Sequence, residues 1–161
     1  MHKEITRQYQ ASLKMLMDVI GKCPDSIWAN EEYENAYWRI VYHALFYTTL
    51  YLSANSAEYV SYPHHIENYN LLGSHTKDHK PIHIERIYLK DELMEYTVTV
   101  FNSIESWVNR FPMEENSGFE WLPMNRCELH LYNIRHLQHH TGQLIERLHQ
   151  TGIKGIKWEG R

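Results

Sequence analysis

The stretch Asn133–Gln143 reads NIRHLQHHTGQ and carries three of the 12 histidines of the chain. In a helix of 3.6 residues per turn, His136 and His140 lie one turn apart on the same face and can direct two imidazoles at one metal ion. Steps of about 100° per residue place both in an arc of apolar residues, whereas His139 falls outside that arc. The stretch therefore predicts two metal ligands on the inner face of a long helix.

Apolar residues recur at three- and four-residue spacing over four stretches of the chain, at about 3–21, 32–54, 89–110 and 125–151. Asn125, with Glu128 three residues later, is typical of a helix N-terminus and marks the start of the fourth stretch. Four helices of about twenty residues with one long connection predict an all-α fold, a four-helix bundle. Bundles build metal sites from inward-facing side chains on different helices, so this fold and the histidine pair agree.

The connection between the second and third predicted helices, about 55–88, shows no sustained apolar period. Its length of roughly thirty residues lets the two helices run parallel, and connections this long are usually functional or ordered by packing. Three histidines within it repeat every four residues: His75, His79 and His83. Pro81 interrupts that run and Gly73 precedes it, so we predict a solvated loop here and not a metal-binding helix.

A further histidine, His43, lies in the middle of the apolar stripe of the second predicted helix. For one isolated histidine, a hydrogen bond to a neighbour is the ordinary explanation. Three neutral imidazoles in a core are costly to desolvate unless something such as a metal ion uses their lone pairs. His43, His136 and His140 therefore predict a metal site. Three neutral ligands leave coordination positions open, which is the arrangement of catalytic sites.

Spacing excludes two other metal chemistries. Leu137 follows His136, so the Glu of the HExxH peptidase motif is absent. A di-iron carboxylate site needs Glu-x-x-His pairs on two helices, and Glu128 and His130 are only two residues apart. No general base is evident. Four polar side chains near the predicted site could orient water or substrate: Tyr47, Tyr132, Asn133 and Gln143. Ordinary packing at the edge of the core explains those four equally well.

The composition is that of a folded globular protein with one domain, residues 1–161. The formal net charge is -4 and no basic block is present, which argues against a nucleic-acid partner. Cys23 and Cys127 lie far apart, as expected for two reduced thiols in an intracellular protein. No apolar signal segment begins the chain, and no stretch reaches the roughly 20 apolar residues that span a bilayer. We expect a cytoplasmic protein without a membrane partner.

The histidine stretch also resembles a known family. The pattern NxxHxxHHxGQ over Asn133–Gln143, preceded by Trp121 and Arg126 and paired with the lone histidine of YWRIVYH over Tyr37–His43, is similar to the DinB-like bundle proteins. The resemblance covers nearly the whole chain. It implies an up-down-down-up bundle that binds a divalent ion, commonly nickel or zinc. The ligands that it implies at the matching positions of this chain are His43, His136 and His140.

That family includes thiol S-transferases, isomerases and members with no known activity, so the resemblance leaves the reaction open. Two functions remain. The first is a metal-dependent enzyme, of the thiol S-transferase or small-molecule hydrolase type, acting on a small molecule or a low-molecular-weight thiol. The second is a non-catalytic metal- or ligand-binding bundle in which the ion is structural. Gly142, on the outer side of the fourth predicted helix, would let another helix approach closely, so we expect a homodimer.

Overall fold

Helices account for the regular structure of the chain. The computed structural model describes residues 1–160, and the helices in that range are α1 (His2–Lys22), α2 (Asp25–Trp28), α3 (Tyr37–Leu52), α4 (Lys90–Val108) and α5 (Arg126–Gln150). Residues 1–160 contain no β-strand, only isolated bridges between single residues. The predicted all-α fold is confirmed, and the three predicted helices at about 3–21, 89–110 and 125–151 match α1, α4 and α5 to within two residues at each end.

The core is formed by the apolar faces of the four long helices. α1 packs against α4 and α5, and α3 packs against the same two helices. Large side chains with no solvent exposure, such as Tyr9 and Leu13 of α1 and Leu93 of α4, fill the space between them. The contact of α3 with α5 matters most for function, because the two helices that carry the predicted ligands lie side by side.

The second predicted helix differs most from the structure. It was expected to begin at about residue 32, but α3 begins at Tyr37, and the short helix α2 lies within the segment predicted as a connection. Two asparagines explain the late start. The Asn30 side chain accepts a hydrogen bond from the backbone N–H of Glu32, and Asn35 accepts one from the N–H of Gly73. The bond of Asn30 is local and stabilises a turn in competition with the helix, whereas that of Asn35 fixes the segment to the long connection before α4.

Residues 53–89 form the long connection between α3 and α4, and they contain no helix, as predicted. Two tyrosines with no solvent exposure, Tyr69 and Tyr88, fix this segment to the core. The Tyr69 hydroxyl accepts hydrogen bonds from the backbone N–H groups of Glu85 and Arg86. Side chains thus replace the backbone ladder that a helix or strand would supply, and the segment is ordered by packing.

The connection between α4 and α5 is tied to the end of α3. Buried Arg126 donates hydrogen bonds to the carbonyl oxygens of Ser53 and Ala54. Gly118 lies against the same strip of backbone with φ +84°, and a Cβ placed there would be 1.9 Å from the Ala54 oxygen. The predicted cap at the start of α5 is confirmed, because the Asn125 side chain accepts from the N–H of Glu128.

A bilayer-spanning helix requires about 20 predominantly apolar residues. Within residues 1–160, no helix is both long enough and apolar enough to meet that requirement.

Candidate metal centre

Three histidines meet at the seam between α3 and α5. The Nε2 atom of His136 lies 3.1 Å from Nε2 of His43 and 3.1 Å from Nε2 of His140. One ligand atom from each residue lies within 4.8 Å of the other two. His43 and His136 are half-buried and His140 is buried. His139 is exposed, as its position outside the apolar arc predicts.

The neighbours of two of these rings fix their tautomers. Nδ1 of His43 is 2.7 Å from the backbone oxygen of Asn70, which can only accept, so the ring donates from Nδ1–H. Nδ1 of His140 is 2.8 Å from Oε1 of Gln143 and donates in the same way. A neutral imidazole carries one N–H, so Nε2 of both rings presents a lone pair. Both lone pairs face the third ring.

The ring of His136 cannot donate a hydrogen bond to both of these lone pairs. Its Nδ1 is buried and has no hydrogen-bond partner among residues 1–160. If the proton is on Nδ1, an unpaired donor is buried and the Nε2 lone pairs of all three rings converge. If it is on Nε2, one N–H faces two acceptors. A divalent cation between the rings removes the repulsion among the converging lone pairs, because each lone pair becomes a bond to the ion.

The protonation states favour metal binding. Burial, followed by the charge of His140, lowers the pKa of His43 to about 4. Burial, followed by the charges of His140 and His43, lowers the pKa of His136 to about 3. Burial also lowers the pKa of His140, against the opposing effect of the hydrogen bond that this ring donates to Gln143. All three rings are therefore neutral near pH 7, and a metal ion need not displace protons to bind them.

The separations suit a single ion. Bonds from zinc to imidazole nitrogen are about 2.0–2.1 Å long, so nitrogens up to about 4 Å apart can share one ion. Two of the three separations are 3.1 Å and fall inside that limit, and the three ligand atoms all lie within 4.8 Å of one another. The residues present therefore fit a divalent ion bound by three neutral nitrogens.

Scans against protein-family models, curated proteins and solved structures gave no match. What this site does is therefore inferred from its own residues.

A cavity of about 260 Å³ opens beside the triad, lined by Tyr132, Arg135, His136 and His139. All four lining residues belong to α5, and His136 is the one of the three predicted ligands that contacts the cavity. Two larger cavities in the chain are lined by residues 116–125 and by residues around Tyr62, and neither includes a triad residue. The candidate ligand site is therefore the smaller cavity, because it is the one that includes a predicted metal ligand.

The four polar residues predicted near the site have four different roles. Gln143 fixes the His140 tautomer, and Tyr132 lines the cavity. Tyr47 packs against the His43 ring, with centroids 4.7 Å apart. Asn133 belongs to the core instead, because it has no solvent exposure and donates to the Thr48 oxygen of α3.

Sequence reasoning missed the residues that hold the loop against His43. The Arg39 side chain, one turn before His43 on α3, donates to the carbonyl oxygens of Leu71 and Gly73. These bonds hold the loop where the Asn70 oxygen meets the His43 ring. The spacing of Arg39 and His43 was a usable signal, since residues four apart share a helix face. A backbone carbonyl such as that of Asn70 has no such signal.

Proposed function

We propose that the chain binds a divalent metal ion through His43, His136 and His140. The observation that carries this proposal is the orientation of the His43 and His140 rings, which hydrogen bonds fix so that both Nε2 lone pairs face His136. Imidazole ligands suit zinc, nickel, copper and iron. Nickel or zinc is the ion that we propose, on the resemblance to DinB-like proteins.

We further propose that the site is catalytic and acts on a small molecule, as a thiol S-transferase or a hydrolase. The adjoining cavity supports this, because a purely structural site is closed by its own ligands. When bound, a divalent ion here supplies Lewis-acid activation of a water or a thiol. The chain's own residues hold the imidazoles neutral and oriented, and Tyr47 shields the His43 ring.

The alternative is a non-catalytic site in which the ion stabilises the fold. This alternative is supported by the positions of the ligands in the sequence. His43 and His136 are 93 residues apart and belong to different helices, so an ion bound to both would join those helices. An ion that binds only the folded state raises the melting temperature by mass action in either case. The catalytic proposal requires turnover of thiols or small electrophiles that disappears in His140→Ala.

Membership of the DinB-like family, with an up-down-down-up bundle and a homodimeric assembly, is part of the same proposal. The pairing of α1 and α3 with both α4 and α5 supports the bundle, as does the long α3–α4 connection. Gly142 supports a close helix contact between two copies, because it is exposed on α5 and a Cβ there meets no atom within 4 Å among residues 1–160.

The test of metal binding compares the metal content of three purified proteins by elemental analysis. Wild type and His139→Ala should each bind about one ion per chain, and the double variant His43→Ala, His136→Ala should bind none. His139 is the matched control, because it is an exposed histidine of the same helix and is not one of the three residues whose ligand atoms converge. Equal metal content in wild type and the double variant would refute the proposal.

A further inference from the structure

Arg135 stands apart from the other arginines near the core. Arg39, Arg126 and Arg147 each donate to backbone carbonyl oxygens. Arg135 is exposed, lines the cavity beside the triad and has no ion pair or hydrogen bond within residues 1–160. Its guanidinium carbon lies 5.5 Å from the centre of the Tyr132 ring, close enough for a cation–π contact. The charged end of the side chain is thus available to a ligand.

The surroundings of the triad lack negative charge. Its three ligands are imidazoles, and no carboxylate is among the residues that line the adjoining cavity. The charged side chain that does act on His43 is a cation, Arg39. A divalent ion bound here would keep its full charge, with Arg135 adding a further positive charge at the mouth of the cavity. A site of one charge sign attracts ligands of the opposite sign.

The cavity also limits the size and shape of the ligand. Its volume of about 260 Å³ lies just below the range of about 300–1,000 Å³ that is typical of small-molecule sites. Tyr132 provides an aromatic wall that favours a carbon skeleton. The planar fork of a guanidinium matches the two oxygens of a carboxylate.

We propose that this cavity binds a small organic carboxylate, with Arg135 as the residue that recognises the carboxylate while the other end of the ligand faces the metal ion. The inference rests on the proposed function, because it needs an ion in the triad. It narrows that function to substrates that carry a negative charge. Arg135 then determines specificity for the anion and is not required for metal binding.

The test uses Co²⁺-loaded full-length protein and two probes of the same length, succinate and its neutral diamide, succinamide. Binding is followed by calorimetry at constant ionic strength and by the visible absorption of Co²⁺. Succinate should bind at least about tenfold more tightly than succinamide, since a hydrogen bond to a charged group contributes that much. Arg135→Gln should remove this preference and leave the Co²⁺ content unchanged.

Two further variants sharpen the result. Arg135→Lys keeps the charge but not the fork and should retain part of the preference. Arg7→Gln is the matched control, because Arg7 is also an exposed arginine on a long helix, and it should behave as wild type. Equal binding of the two probes, no binding of succinate, or an unchanged preference in Arg135→Gln would overturn the inference. Failure of wild type to bind Co²⁺ would instead overturn the proposed metal site.

Discussion

Hydrogen bonds to Nδ1 decide how His43 and His140 can act. Without the Asn70 oxygen and the Gln143 side chain, each ring could carry its proton on Nε2, where it would block the approach of an ion. Partners of this kind also raise the basicity of the ligand nitrogen. The residues that do not touch the ion therefore contribute to its affinity, and one of them, Gln143, is open to mutation because it is exposed.

Substitution of Gln143 should change metal affinity in two directions. Gln143→Ala removes the acceptor for His140 and should weaken metal binding by about tenfold or more. Gln143→Glu supplies a charged acceptor and should strengthen binding. Competition titrations with a chromophoric chelator measure both effects. Gln150→Ala on the same helix is the control, because Gln150 bonds only to the exposed Glu146 and should leave affinity unchanged. Identical affinities for all these variants would show that the tautomer of His140 has no influence.

The three histidines could be predicted from sequence because helical periodicity alone sets the direction of each side chain. That argument selected His43 and separated His140 from His139. The Asn70 oxygen could not be found in this way. Its position depends on tertiary contacts made by Arg39 and Tyr69, and a backbone carbonyl is present at every residue. The arrangement of the cavity depends in the same way on contacts between elements.

The connection between α4 and α5 packs closely against the C-terminal end of α3. Its close approach depends on Gly118, where both the positive φ and the absence of a side chain are required. Arg126 donates to two carbonyl oxygens at the same place, Ser53 and Ala54. Ser53 and Ala54 directly follow α3, so the arginine supplies donors to carbonyl groups that the helix itself does not bond.

Gly118→Ala should destabilise the protein far more than Gly152→Ala. Both glycines have φ +84°, so both substitutions incur the strain of about 1–2 kcal/mol of a left-handed residue. Only at Gly118 does the new Cβ meet backbone, at 1.9 Å from the Ala54 oxygen, whereas nothing lies within 4 Å at Gly152. We expect an additional loss of more than about 2 kcal/mol in the free energy of unfolding, measured by urea denaturation. Equal losses of stability in the two variants would mean that the backbone around Gly118 moves to accept the Cβ without a free-energy penalty.

At the scale of the whole molecule, a histidine outside the candidate site links stability to pH. His130 of α5 is 4% exposed, and its Nδ1 lies 3.2 Å from the hydroxyl of Tyr9, which has no exposure. Burial, with smaller effects of the charges on Arg126 and His2, lowers the pKa of His130 to about 4. The unfolded chain takes up a proton on this ring below its ordinary pKa of about 6.5, whereas the folded protein does so only below about 4.

The folded state should therefore lose stability as the pH falls through this window. The contribution of His130 is fully present above about pH 6.5 and decreases by about 3 kcal/mol on acidification to about pH 4. In His130→Phe that part of the pH dependence should be absent. Urea denaturation of metal-free wild type and variant across the window measures the difference and cancels the titration of the triad. Parallel stability curves would contradict the assignment.

The long connection between α3 and α4 divides the ligand set. Its tip, residues 77–80, is exposed, while Tyr69 on one side and Tyr88 on the other are buried in the core. A protease that cut the tip would leave both flanks anchored, and the two fragments would share one core as a non-covalent complex. His43 would then belong to one polypeptide and His136 to the other. An ion in the triad would hold together two molecules where it now joins two helices, and its removal would loosen the nicked protein far more than the intact one.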